Sequence, residues 1–299
     1  MKRRPLRALA ALTLALALPG CSGGGSTPAA EPSAPVLSAD ASLRALLPDD
    51  VRAAGRLVIA TDPSYPPASS YAADGRTIVG FEPDLGAAVG ELLGIEVEFR
   101  AAPFDGLIGE VDGHRFDAVM SAMTYTPERQ EDVDFVTYFE AGTSILVQRG
   151  NPFAIHDLAD LCGRAVAVEQ GTIQVDLLER TSTAHCTGVP IRVETYPSND
   201  DALLELRTGR AAAVLNDYPP AVYTTTAQRT RASYQLVSDV QYEPGLYGIA
   251  VAKDRPELRD ALAAALAALV ENGHYARVLG TWDVASGAVD TVTVNGTPV

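Results

Sequence analysis

Short apolar runs alternate with longer amphipathic stretches along most of this chain, and that alternation constrains the fold more than any other feature. Residues 56–61 (RLVIAT) form an apolar run that ends at Asp62-Pro63, which reads as a strand followed by a turn. Residues 81–93 read as a helix closed by Gly94, 95–100 as the next strand, and 104–111 as the next helix. The rhythm returns at 165–168, 173–180, 191–196, 200–208 and 211–215. Such alternation predicts an α/β fold with a mostly parallel sheet flanked by helices. Ligands in these folds bind beyond the carboxyl ends of the strands, where Asp62, Phe104 and residues 124–129 fall.

Residues 116–135 (FDAVMSAMTYTPERQEDVDF) carry the densest signal. A short strand is expected at 116–120, then small and hydroxylic residues, then a helix starting at Thr126-Pro127, a good cap followed by a good first helical residue. Arg129 then lies in the first turn, a poor place for a cation. Either it points to solvent or pairs with Glu128 or Asp132, or an anion sits between the guanidinium and the free N–H groups of the turn. A weak echo relates 105–119 to 200–214: each is a helix, a Gly-containing turn and a strand. The first unit leads to Thr124 and Arg129 and the second to Asp217, which suggests two lobes facing each other. The tail from Ser286 is polar and reads as loose.

The first residues set the compartment. Lys2, Arg3, Arg4 and Arg7 precede an apolar core at 8–18, too short to span a membrane and suited to a signal peptide over 1–20. It ends in Leu18-Pro19-Gly20-Cys21, which resembles the lipobox of bacterial lipoproteins and marks Cys21 for lipidation. Residues 21–40 then read as a flexible tether. The expected location is extracytoplasmic, at the cell surface or in the periplasm, anchored to the cell membrane through Cys21. The formal net charge is −15, and losing the four basic residues of the signal makes it more negative still. That acidity argues against binding nucleic acid through its phosphates. With Cys21 carrying lipid, Cys162 and Cys186 remain, and outside the cytoplasm an even pair suggests a disulfide. No Gly-x-Ser-x-Gly, phosphate loop or clustered Cys/His set stands out, so no cofactor and no metal is expected.

Taken together, these segments resemble the extracytoplasmic solute-binding proteins of amino-acid ABC importers, the polar amino-acid branch (family 3). The resemblance rests on Leu57-Val-Ile-Ala-Thr-Asp62, Gly80-Phe-Glu-Pro-Asp-Leu85, Phe116-Asp-Ala-Val, Met123-Thr-Tyr-Thr-Pro-Glu-Arg129, Val166-Ala-Val-Glu-Gln-Gly-Thr172, Ala213-Val-Leu-Asn-Asp217, Tyr247-Gly-Ile-Ala and Glu271-Asn-Gly-His-Tyr275, in that order. It implies a two-lobed periplasmic-binding-protein fold. Lobe 1 would comprise 41–143 and 247–299 and lobe 2 would comprise 144–240, with hinge segments at 140–143 and 241–246. By the same resemblance, Arg129 grips a ligand α-carboxylate, helped by Thr124, Thr172 and backbone groups of Ala122. Asp217 receives the α-ammonium, with Asn216 as the variable residue before it. Tyr65 and Phe104 sandwich the ligand, and Asp62 reads its side chain. Glu169 stands where a glutamine-binding relative has Lys.

Two carboxylates near the ligand side chain, Asp62 and Glu169, would repel an acidic ligand and favour a basic or polar one: Arg, Lys, His or Gln. Tyr65 and Phe104 would add cation–π attraction of about 0.5–2 kcal/mol. The expected partners are a free amino acid, an ABC permease with its ATPase subunits, and the membrane through the lipid; a monomer is expected, and not an enzyme. The competing class is an extracytoplasmic dehydratase on the same fold, with Glu169 as its acid or base. Asp217, which calls for an ammonium, speaks against it.

Overall fold

The structure, a computed structural model, describes residues 37–299. The expected signal segment 1–20, the lipidation site Cys21 and most of the expected tether 21–40 lie outside the described residues. At the tether's far end Leu37 packs against the core and the Asp40 carboxylate caps α1 (Ala41–Ala45), so the folded region begins before residue 41. The helix α2 (Asp49–Ala54) follows Pro48 and leads through left-handed Gly55 into β1 (Arg56–Thr61).

Beyond β1, β2 (Ser64–Tyr65), β3 (Ser69–Tyr71) and β4 (Ile78–Val79) form a small antiparallel sheet. The next helix, α3 (Phe81–Leu93), buries Phe81, Leu85, Val89 and Leu93 against the core and ends at Gly94, whose φ of 64° suits glycine. Then come β5 (Glu96–Ala101), α4 (Leu107–Asp112) and β6 (Ala118–Val119). The strands β5, β1 and β6 are parallel neighbours.

The long strand β7 (Val133–Gln148) joins the halves of the molecule. Its first part, including Val136, Tyr138 and Phe139, lies in the core of lobe 1, and its last part, including Ile145 and Val147, lies in that of lobe 2. Between them Glu140 is the one exposed residue before the strand's end. Lobe 2 continues with β8 (Ala165–Glu169), α5 (Ile173–His185), β9 (Arg192–Tyr196), α6 (Asn199–Arg207), β10 (Ala213–Asp217), α7 (Tyr218–Thr226) and β11 (Tyr234–Leu236). Cys162 and Cys186 are disulfide-bonded and tie the segment before β8 to the end of α5. The chain returns through β12 (Tyr242–Ala252), antiparallel to β7, with a break in register between Tyr242 and Gly245. It ends with α8 (Pro256–Glu271), α9 (His274–Thr281), β13 (Thr293–Val294) and β14 (Thr297–Pro298).

The sheet order is β5-β1-β6-β12-β7-β10-β8-β9. Each lobe is thus a parallel triplet, and two long antiparallel strands in the middle connect them. Because β7 and β12 are central, the loops after the outer strands β5 and β9 lie at the end of the cleft away from the crossing strands.

Two expectations are corrected here. The helix expected from Thr126 is only a single 3-10 turn, Arg129–Glu131. The Thr126 hydroxyl accepts from the Arg129 N–H at 3.2 Å, but the residue at the cap of the turn is Glu128, and Val133 is already committed to the buried strand β7, which leaves no length for a helix. The tail from Ser286 is docked rather than loose. Val289 and Val292 are buried, Val294 pairs with Val136, and the Asn295 side chain accepts from the Phe135 N–H at 2.8 Å.

Candidate functional site

Between the lobes lies a cleft of about 330 Å³. Nine of the ten ligand-contact residues expected from the sequence line it: Asp62, Tyr65, Phe104, Ala122, Thr124, Arg129, Glu169, Thr172 and Asp217. Asn216 does not. Successive residues of a strand point to opposite faces, so with Asp217 in the cleft Asn216 turns away, where its amide donates to Asn199 Oδ1 at 3.4 Å.

At one end of the cleft Arg129 donates from Nη1 to the Thr124 carbonyl at 2.7 Å and from Nη2 to the Gly171 carbonyl, across the lobes, at 2.8 Å. Its guanidinium carbon lies 5.6 Å from the Phe104 ring centroid. Burial pulls its pKa down while Asp217, Asp176 and Glu128 push it up. The start of α5 sits beside it. Thr172 occupies the N-cap position, yet its hydroxyl donates to the Glu169 carbonyl and makes no cap bond. The first N–H groups of this 13-residue helix are therefore left for another acceptor, and Thr172, Ile173 and Gln174 line the cleft. The helix N-terminus that the sequence puts at Arg129 is supplied from the opposite lobe by α5. Arg129 and α5 together make a site suited to a carboxylate.

Asp217 ends β10 and is buried. Its carboxylate accepts from Tyr247 Oη at 2.7 Å and from Gln174 Nε2 at 2.8 Å, and its own N–H donates to Tyr65 Oη at 2.7 Å. Burial raises its pKa to about 6, although the Tyr247, Tyr65 and Gln174 side chains and Arg129 all act the other way. Gln174 also donates to Thr143 Oγ1 in β7 at 3.1 Å. Both crossing strands thus touch the groups that hold this carboxylate.

The third region is acidic. The Asp62 carboxylate accepts from the backbone N–H groups of Ser64 at 2.9 Å and Phe104 at 3.3 Å, and burial raises its pKa against these bonds. Glu169 is 6% exposed and its Oε1 has no partner among the described residues. Burial, then Asp62, Asp200 and Asp217, push its pKa well up.

Several contributors went unnoticed in the sequence. Gln174 and Tyr247 hold Asp217. The Ser121 hydroxyl accepts from the Asp62 N–H at 2.9 Å. Glu82, fully buried, accepts from Ser69, from Tyr138 and from the Ala122 N–H. Ala122 has a φ of 46°, a conformation few non-glycine residues adopt, and the Glu82 carboxylate braces it there. A signal for Glu82 existed: positions 82, 85, 86 and 89 form one helical stripe, and an acid on that stripe is out of place unless something inside needs it.

Among the described residues, no group of three or more His, Cys, Asp or Glu side chains is placed to hold a metal ion. No described helix is long and apolar enough to cross a membrane.

Comparison with known proteins bears directly on these features. The family described as bacterial extracellular solute-binding proteins, family 3, matches residues 57–284. Arginine-binding protein ArgT of Corynebacterium glutamicum is 28% identical over 262 residues, covering 86% of this chain and 84% of the relative. ABC transporter arginine-binding protein 1 of Escherichia coli is 29% identical over 231 residues, covering 77% and 91%. Among solved structures, an ancestral arginine-binding protein bound to arginine superimposes with a TM-score of 0.70 at 33% identity, covering 76% of this chain and 98% of the other. The fold, the cleft between its lobes and the extent of these matches agree: the chain belongs to the bacterial extracellular solute-binding proteins, family 3, and is a binding protein rather than an enzyme.

Proposed function

We propose that this protein captures a basic amino acid, arginine foremost, and delivers it to an ABC permease and its ATPase subunits while lipid on Cys21 holds it at the membrane. One observation carries the choice of ligand. Among the described residues, the buried Oε1 of Glu169 has no partner, and it shares the cleft with Asp62, Asp217 and a single cation, Arg129. An α-amino acid supplies one carboxylate for Arg129 and one ammonium for Asp217. Asp62 and Glu169 are then unanswered, and a buried unpaired carboxylate is costly. A guanidinium or ammonium on the ligand side chain answers them. The arginine-binding relatives favour the same ligand class.

In this reading the ligand enters at the end of the cleft away from β7 and β12. Its carboxylate meets Arg129 and the start of α5, and its ammonium meets Asp217. Tyr65 and Phe104 enclose the stem. The lobes swing about 140–143 and 241–246, where Gly142 and Gly245 sit. Closure is held by cross-lobe bonds such as Asn199 Nδ2 to the Ser64 carbonyl at 3.2 Å and Gln170 Nε2 to Asp105 Oδ2 at 2.8 Å.

A thermal-shift panel of the twenty amino acids on ligand-stripped protein tests the reading. A ligand at a hundred times its Kd stabilises by about 2.7 kcal/mol. Arginine should give the largest shift and glutamate none; silence across the panel would contradict it. Metabolic labelling with a fatty acid tests the anchor, since label should be lost in Cys21→Ser.

A further inference from the structure

The side-chain end of the cleft holds more carboxylate than a neutral ligand can answer, and its two acids are held differently. Each Asp62 oxygen already accepts from a backbone N–H, from Ser64 on one and Phe104 on the other, an environment that commits it to acting as an acceptor. Glu169 has no such commitment on Oε1. It shares the cleft with Asp62, Tyr65, Asp217 and Arg129. Asp200, at the start of α6, adds negative charge beside it, and the Asn199 N–H partly offsets these neighbours.

We propose that Glu169 makes the ligand class depend on one proton. Ionised, it takes a cationic side chain; protonated, it donates its O–H to a carbonyl, and the cleft accepts an uncharged side chain of the citrulline or glutamine kind. This rests on the amino-acid reading above. Ionised carboxylate can only accept hydrogen bonds, so a ligand carbonyl facing it is repelled. A carboxylic acid donates once and still accepts, which matches the carbonyl and N–H of a ureido or amide group. Citrulline has nearly the length and shape of arginine, with the guanidinium replaced by an uncharged ureido group, so the pair isolates this one difference. The burial and like-charged neighbours of Glu169 push its titration upward. Asp62 is also pushed up by burial, so a variant is needed to assign the proton.

Calorimetry with arginine and with citrulline from pH 8 to pH 5, on the wild-type protein and on Glu169→Gln, is the test. Arg129 and Asp217 meet the same α-groups in both ligands, so their titration cancels in the ratio of the two Kd values. One linked proton changes that ratio by at most about tenfold per pH unit. The proposal expects Kd(citrulline)/Kd(arginine) to fall by about tenfold or more from pH 8 to pH 5 in the wild type and to stay flat in Glu169→Gln. A flat wild-type ratio overturns it, as does an equal fall in the variant. Proton counting in buffers of different ionisation enthalpy needs no variant: any proton that Asp217 gives up is common to both ligands, so citrulline should take up more protons than arginine between pH 8 and pH 5, and equal counts overturn the switch. Failure of arginine to bind at pH 8 overturns the amino-acid reading itself, and the switch with it.

Discussion

The Arg129 guanidinium reaches across the cleft to the Gly171 carbonyl at 2.8 Å. A side chain of lobe 1 thus grips the loop that starts α5 in lobe 2. Among the described residues, the same guanidinium is the one cation in a cleft lined by Asp62, Glu169 and Asp217. Arg129→Ala should therefore weaken arginine binding. Truncating one partner of a buried charge pair costs about 2–5 kcal/mol, which is roughly thirtyfold or more in Kd. Arg129→Lys should recover only part of the loss, because an ammonium cannot form the two parallel bonds. Calorimetry on both variants, with melting curves to exclude unfolding, checks this; an unchanged Kd would remove Arg129 from the site.

Gly171 is also a point of close approach between the lobes. Its φ is 79°, and a Cβ there would lie 2.8 Å from Asp105 Oδ1 and 3.0 Å from Asp105 Cα. Gly171→Ala should strain the loop by roughly 1–2 kcal/mol and hold the lobes apart. Its expected signature is a weaker Kd for arginine and a larger radius of gyration by X-ray scattering in the presence of ligand. Wild-type scattering from the variant would refute the contact.

The fold was largely legible in the sequence, and its two misreadings share a physical origin. The bounds of α3 follow from Gly80 and Gly94 because glycine punctuates locally. The expected helix at Thr126 failed because β7, a long-range partner of β12, claims Val133 onward. The tail likewise reads as loose because its anchor, Asn295 with Phe135 and Asp134, spans most of the chain. In the cleft, Arg129 and Asp217 stand in motifs whose roles the resemblance supplies. Tyr247 and Glu82 also stand in quoted motifs but carry no role there, and Gln174 stands in none, since nothing local says that Gln174 and Tyr247 both end on Asp217.

Tyr247 supplies a third expectation. Its hydroxyl donates to the buried Asp217 carboxylate, and removing a bond to a charged group costs about 1.5–3 kcal/mol. In Tyr247→Phe the arginine affinity should fall, and the pH at which binding is lost on acidification should move upward, because Asp217 loses a group that keeps its pKa down. Calorimetry across pH 5–8 measures both; an unmoved profile would refute the link.

Asp217 also sets how the empty protein responds to pH. Its folded pKa of about 6 lies above its ordinary 3.8, so its charged form is disfavoured by folding. That cost is full above pH 6 and disappears as pH falls through 6 toward 4, because the folded state takes up a proton that the unfolded state does not. The contribution is about 3 kcal/mol, and Glu169, Asp62 and Glu82 shift in the same direction. Ligand-stripped protein should therefore melt at higher temperature at pH 5.5 than at pH 8, with a smaller gain when arginine saturates the cleft. Calorimetric melting without ligand that shows the reverse trend would contradict this balance.

The Cys162–Cys186 bond closes a loop with a sequence separation of 24 at the end of α5 away from the cleft. Loop entropy gives it about 3 kcal/mol. Cys162→Ser with Cys186→Ser should lower Tm by several degrees and leave the arginine Kd within a few-fold. A large loss of affinity at unchanged Tm would mean that the bond serves the cleft instead.

The central claim is that this cleft is built for a cationic amino acid, and one titration addresses it most directly. Ligand-stripped protein at pH 8 is titrated with arginine and separately with glutamate. The account predicts saturable one-to-one binding of arginine and no measurable heat with glutamate, because Asp62 and Glu169 face the side chain. Glutamate binding as tightly as arginine, or more tightly, would contradict it.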